Sequence, residues 1–235
     1  MLQQAIVRQA TVRNEVFHPA VSAALRPVPA ADPSSLAQAM QMIGGVMSFP
    51  RNSEIFGENE PADYVYRVVA GSVRTYKILS DGRRQVGGFY LPGDVFGLEF
   101  AEAHSFSAEA ITDARVIVVK RSALTALAGP DGAIGRELFA ITGRELRRAQ
   151  DHVLLLVKSA QERVASFLLE MAQRASAGDT VVLPMSRQDI ADYLGLTIET
   201  VSRTLSGLEH AETIEVPTSR RIVLRNRSAL RRLNG

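Results

Sequence analysis

Between Ser186 and Glu209 the chain reads SRQDIADYLGLTIETVSRTLSGLE, two short helical patterns separated by a glycine. Ser186 and Asp189 form a capping-box pair, which predicts a helix beginning at Arg187. Ile190 and Leu194 fall on its inward face beside small Ala191, where a larger side chain would push a crossing helix away. Gly195 ends it, because a sharp helix end calls for the left-handed conformation that glycine adopts without strain. Thr197 is placed to N-cap a second helix with an apolar stripe of Ile198, Val201, Leu205 and Leu208. Glu199, Ser202, Arg203 and Ser206 then face solvent. Two helices crossing at an alanine across so short a turn have the geometry of a helix-turn-helix, whose second helix enters the major groove of DNA.

The chemistry of the exposed face suits that role. Arg203 is able to bond guanine O6 and N7 in bidentate fashion, Glu199 to accept from cytosine N4, and Ser202 is short and adaptable. These three are the candidate base contacts. Ser186, Arg187, Thr197 and Thr200 border the same surface and are candidates for backbone or supporting contacts. An amphipathic hairpin with merely solvated charges is the bland alternative, and the agreement of turn spacing with surface chemistry weighs against it.

The chain has 235 residues, of which 46% are hydrophobic and 22% charged, a globular composition with room for more than one core. Its formal net charge is only +2, so bulk electrostatics do not announce a polyanion partner. The distribution says more: from Val216 to Gly235 there are six arginines and no acid. With no cysteine, disulfides, thiolate zinc sites and cysteine-held iron–sulfur clusters are excluded. No apolar run approaches the roughly 18 residues of a membrane span, and the N-terminus lacks the apolar core of a signal peptide. A cytoplasmic protein without membrane contact is expected.

Organisation along the chain is α+β. Residues 1–33 are a poorly readable arm, rich in Ala, Pro and Ser. Residues 34–130 begin with a short helix over Ser34–Met42 and continue as short β-branched or aromatic runs, Tyr64–Val69, Ser72–Leu79, Gln85–Tyr90 and Arg115–Val119. Turn signals separate them, and Asp81-Gly82 reads as a type I′ hairpin turn. The spacing predicts an antiparallel β-barrel of the jelly-roll kind. Residues 131–157 carry a helical period, with Ile134, Leu138, Ile141, Ala149, Val153 and Leu156 along one side. A helix of about 25 residues, ~38 Å long, with such a seam is expected to pair with a copy of itself. Residues 158–235 open with a capping box, Ser159 and Glu162, and a helix to about Ala175. After the two-helix motif, strands Thr213–Val216 and Arg221–Leu224 form a wing, joined by Pro217-Thr218-Ser219-Arg220. Arg220 and Arg221 at its tip are candidate phosphate contacts.

Barrel, long helix, capped helix, helix-turn-helix and wing, in that order, resemble the cyclic-AMP receptor and FNR superfamily of bacterial transcription regulators. The run Glu199-Thr200-Val201-Ser202-Arg203 looks like the FNR branch, and LPMSRQDIADYLGLTIETVSRTLSGLE is similar to FixK-type activators. The resemblance implies a cyclic-nucleotide-binding-like barrel, a dimerisation helix and a winged DNA-binding domain. It implies a homodimer on TTGA-type inverted repeats in double-stranded DNA, recruiting RNA polymerase to genes of low-oxygen respiration and nitrogen fixation. Arg203 would read guanine, Glu199 the opposed cytosine or adenine edge, and Ser202 a neighbouring thymine or phosphate.

Departures from the family pattern bear on sensing. Its cyclic-nucleotide binders carry a Gly-Glu pair and then an arginine that grips the cyclic phosphate. Gly97, Leu98 and Glu99 echo the pair, but His104-Ser105-Phe106 stands where the arginine is expected. A phosphate site without its arginine loses the bidentate, charge-assisted grip. His18, His104, His152 and His210 are too dispersed to suggest haem. The reading is a barrel without cofactor or metal, and the alternative is a regulator switched by an unidentified small molecule in that barrel. An enzyme is not expected: there is no G-x-S-x-G elbow, P-loop or H-E-x-x-H, and Asp94 and Glu99 read as turn and rim residues.

Overall fold

The computed structural model describes residues 35–99, 101–129 and 132–234. The arm expected over residues 1–33 lies outside the described residues, as do Pro130 and Asp131 before the long helix. Helix α1 (Leu36–Ile43) starts at Ser35, whose side chain accepts from the Gln38 N–H, and stops at Gly44. Eight strands follow: β1 (Gly45–Phe49), β2 (Glu54–Phe56), β3 (Tyr64–Ala70), β4 (Val73–Ile78), β5 (Arg84–Tyr90), β6 (Val95–Phe96), β7 (Ser107–Ala110) and β8 (Ala114–Lys120). They pair antiparallel in two four-stranded sheets, ordered β1-β8-β3-β6 and β2-β7-β4-β5. Phe56, Tyr66, Val68, Val73, Phe96 and Val116 form a buried cluster drawn from both sheets. That is the expected antiparallel jelly roll.

Asp81-Gly82 lies in the β4–β5 hairpin, but the turn is not type I′. Only Gly82 has positive φ, at 82°, and its N–H donates to the Leu79 carbonyl at 2.9 Å. The loop is the three-residue kind, a turn followed by a left-handed glycine. The sequence pattern also missed β1, β2, β6 and β7, whose two to five residues hold too few side chains to show a period.

After α2 (Arg121–Ala128) comes the long helix α3 (Ala133–Leu155). Its apolar residues divide between two faces, and the seam expected to meet a second chain is mostly turned inward. Ile134 is buried, and Leu138 and Ile141 pack with it against Leu36, Met40 and Leu124 of the β-domain. Leu156 is half-buried beyond the last turn, while Ala149 and Val153 are exposed. The stripe left open is Phe139, Leu146, Val153 and Val157, at 82%, 60%, 65% and 83% exposure. A period near seven defines a stripe, but it does not say which of two stripes the chain's own barrel will cover.

Helix α4 (Ala160–Ala175) opens on the expected capping box, with the Ser159 N–H donating to Glu162 Oε2 at 2.8 Å. Val164, Phe167, Leu168 and Met171 are buried. Each side chain of that size contributes about 1.5–3 kcal/mol by leaving water. Strands β9 (Ser176–Ala177) and β10 (Thr180–Val182) lead to helices α5 (Arg187–Leu194) and α6 (Ile198–His210). Strands β11 (Ile214–Thr218) and β12 (Arg221–Leu224) complete a third sheet, ordered β11-β12-β10-β9. The final helix α7 (Arg227–Asn234) was not expected, since its arginines conceal a short apolar side, yet Leu230 is fully buried. Among the described residues no helix is long and apolar enough to cross a membrane.

Candidate nucleic-acid interface

The surface is set by two helix starts and one helix end. Both halves of the α5 capping box form: the Asp189 N–H donates to Ser186 Oγ at 3.1 Å, and the Ser186 N–H to Asp189 Oδ2 at 2.9 Å. Gly195 ends α5 in the left-handed region, φ 62° and ψ 39°. A side chain there would also crowd Leu156, whose Cδ2 lies 3.3 Å from the position a Cβ would take. Thr197 caps α6 by accepting from the Thr200 N–H at 3.2 Å. Val201, Leu205 and Leu208 are buried, and Ala191 is fully enclosed. Ile198 does not join the inward stripe: it is 37% exposed, because the first residue of α6 projects past the packed part of the helix.

Glu199, Arg203 and Ser206 stand exposed on the outer face of α6. Arg203 Nη2 leans on Thr200 Oγ1 at 3.5 Å. Ser202 is half-buried, and its hydroxyl accepts from Arg187 Nη1 at 3.2 Å, a bond that ties α5 to α6. The Glu199 carboxyl is held below its ordinary range by its own backbone N–H, then by the Thr197 hydroxyl, with the Arg203 charge adding to both. It is therefore an anion and a pure acceptor at neutral pH.

The wing is tighter than the sequence suggests. Thr218 pairs with Arg221, so only Ser219 and Arg220 make the tip, and Pro217 and Thr218 belong to β11. Arg220, expected to reach phosphate, turns back and donates to the Pro184 carbonyl at 2.7 Å. Arg225 pairs with Glu215, and Arg227 with Asp179 at 3.0 Å. Arg221, Arg231 and Arg232 remain exposed. An acid-free stretch of sequence is thus partly neutralised by acids from elsewhere in the fold.

Three arginines that support the motif were not singled out from sequence. Arg74 Nη1 and Arg84 Nη2 donate to Asp189 Oδ1 at 2.8 and 2.6 Å, and Arg84 Nε donates to Asp192 Oδ2 at 2.7 Å. Arg74 also pairs with Glu109 at 2.8 Å. Arg163 donates to the carbonyls of Lys158 at 2.8 Å and Leu194 at 2.9 Å, and also to that of Leu156, joining the end of α3 to the end of α5. The partners of Arg74 and Arg84 on α5, more than 100 residues away, leave no local pattern; only the place of Arg163, next to capping Glu162, hints at a helix-end role.

A cavity of about 320 Å³ opens between the β-domain, α3 and the C-terminal domain, lined by Gly97, Glu99, Arg148, Arg174 and Tyr193 among others. Its cations are committed: Arg174 pairs with Asp94 at 2.7 Å and Glu170 at 3.0 Å, and Arg148 with Glu145. Glu99 is tied to His104 Nδ1 at 2.6 Å and to the Ser105 N–H at 3.0 Å, and the buried His104 ring stacks on Phe56. These residues do not fit a cyclic phosphate, which needs a guanidinium free to turn toward it. Among the described residues no group of three or more His, Cys, Asp or Glu is arranged to hold a metal ion.

Comparison with known proteins places both halves of the chain. Residues 162–233 match the model of the Crp-like helix-turn-helix domain, and residues 46–130 that of the cyclic nucleotide-binding domain. The chain is 55% identical over 212 residues to the nitrogen fixation regulation protein FixK of Azorhizobium caulinodans, covering 87% of this chain and 86% of that protein. It is 44% identical over 167 residues to the transcriptional activatory protein AadR of Rhodopseudomonas palustris, covering 69% and 70%. Among solved structures, FixK2 from Bradyrhizobium japonicum superposes with a TM-score of 0.79 at 55% identity, covering 82% of this chain and 98% of that one.

The end of α3 beside the motif has a pH signature. His152, at the end of α3, packs 4.3 Å from the Tyr193 ring, and burial lowers its pKa below the ordinary histidine value. The unfolded chain therefore binds a proton near pH ~6.5 that the folded chain refuses. Stability should fall as pH drops through that value and level off below the depressed folded pKa. Thermal unfolding from about pH 7.5 to 5.5 should show a steeper decline for the wild type than for His152→Gln. Parallel curves would contradict a buried neutral imidazole.

Proposed function

Because the chain belongs to the CRP/FNR family of transcription regulators, with relatives of the FixK type, we propose that it works as a homodimer reading a two-fold operator in nitrogen-fixation and low-oxygen genes. The observation that carries this reading is the outer face of α6, where Glu199 and Arg203 stand exposed on a helix anchored by Thr197, Val201 and Leu205. The open stripe of Phe139, Leu146 and Val153 supports pairing of α3 with a second copy. That pairing would set two α6 helices in successive major grooves, about 34 Å apart. TTGA-type inverted repeats are the sites that the family resemblance implies. RNA polymerase is the partner through which activation would run, in the cytoplasm. Arg221 is the wing residue best placed to add phosphate contact, with Ser186, Arg187, Thr197 and Thr200 in supporting roles rather than at the bases.

The family is one of regulators rather than enzymes, so the open question is switching. The paired cations of the cavity support action without a cyclic nucleotide. The cavity itself favours a second reading, a small molecule bound between the domains. A ligand that binds only the native state must raise the unfolding midpoint, so a rise with cyclic AMP or cyclic GMP would favour the second reading over the first.

Specificity tests the proposal. Arg203→Ala should relax preference at one base pair in each half-site, at roughly 1–3 kcal/mol each. Glu199→Ala should broaden discrimination more than it lowers total affinity, because an anion near phosphates penalises unmatched sequences. Binding to operators changed one base pair at a time measures both, and parallel losses at every position would remove these residues from the readout. Leu146→Glu should set like charges across the paired stripe and convert a sedimenting dimer to monomer. A full dimer with normal binding would place the interface elsewhere.

A further inference from the structure

We propose that Arg74 and Arg84 of the β-domain are positioning residues for DNA reading, holding the helix-turn-helix from outside its own domain through Asp189 and Asp192. The inference rests on the two-fold operator proposed above and adds what fixes the angle between the two recognition helices. Asp189 accepts four bonds: from the Ser186 N–H and hydroxyl on Oδ2, at 2.9 and 2.8 Å, and from Arg74 and Arg84 on Oδ1, at 2.8 and 2.6 Å. Its side chain is 4% exposed and that of Arg74 is 9% exposed. The carboxylate that starts α5 is thus the one that docks α5 on the β4–β5 hairpin. Arg84 makes a second attachment one turn further along, to Asp192.

Apolar contact around this cluster makes the docking rigid. Val86 and Phe89 of β5 join the buried cluster of the C-terminal domain. The Phe89 ring lies 5.3 Å from Tyr193 and 6.2 Å from Phe167, and Arg174 of α4 donates to the Phe89 carbonyl at 2.6 Å. Arg163 holds the other end of α5 to the end of α3. With α6 packed on α5 across Ala191, fixing α5 at both ends fixes α6. The docked arrangement leaves Glu199, Arg203 and Ser206 exposed, so it presents the reading face instead of covering it. In a dimer, two rigidly docked motifs match one half-site separation, whereas loosened motifs lose affinity there and tolerate others.

The test varies the separation of the half-sites by one and two base pairs and follows binding of full-length protein at fixed salt. Arg84 is the residue to change, since removing deeply buried Arg74 would strand the Asp189 charge and put folding at risk. Arg84→Ala and Asp192→Asn should each lower affinity about tenfold at the preferred separation, within the range of coupling between distant sites, and flatten the preference among separations. The double variant should be no worse than Arg84→Ala, which already removes both attachments, and Arg84→Lys, which keeps one ion pair, should recover part of both effects. A uniform loss with the separation profile unchanged, a double variant whose losses add, or tighter binding on release would each overturn the positioning role. A wild type indifferent to separation would overturn both this inference and the two-fold operator beneath it.

Discussion

One buried carboxylate, Asp189, determines how the reading head is held. It completes the capping box, so the Ser186 N–H is satisfied by its carboxylate and its own N–H by the Ser186 hydroxyl, and it receives two guanidiniums from another domain. A buried anion is tolerated only when its lone pairs are filled and its charge is matched. Ser186 fills one oxygen, and the β-domain arginines match the charge on the other. Local helix geometry and domain arrangement are therefore a single electrostatic problem. The exposed face of α6 inherits its orientation from that solution, since α6 packs on α5 and, among the described residues, it is α5 that the hairpin arginines hold.

Charge elsewhere follows the same economy. A net charge of +2 gives little long-range attraction to a polyanion. Arginines of the acid-free C-terminal stretch are used internally, Arg220 on a carbonyl and Arg225 and Arg227 on acids, and Arg148 and Arg174 are engaged likewise on carboxylates of the cavity. Within the C-terminal domain, Arg203 on α6, Arg221 on the wing and the pair on α7 are among those that stay exposed. Selectivity in such a protein depends on where these cations are held more than on how many there are.

The helix-turn-helix was legible because its determinants are local. Ser186 and Asp189, Gly195, and Thr197 each act within four residues, and a capping box or a left-handed glycine is written in the residues themselves. The barrel was legible as a class from short β-branched runs, although β7, with the sequence SAEA, gives no alternation to read. What stayed hidden depends on tertiary choice. Ile134 and Phe139 are both apolar residues of α3, and only the packed β-domain separates the buried one from the exposed one. Arg74 is one arginine in a short strand, and nothing near it in sequence shows that one of its partners lies 115 residues away. Leu230 is one leucine among arginines, with burial against α4 that no window of sequence displays.

Selection of bound sequences from random duplex DNA, with purified full-length protein and no added small molecule, addresses the central claim most directly. Two half-sites related by two-fold symmetry, at one fixed separation, should be enriched. Enrichment of a lone half-site, of an asymmetric sequence, or of nothing above the starting pool would contradict a dimer that reads DNA through paired α6 helices.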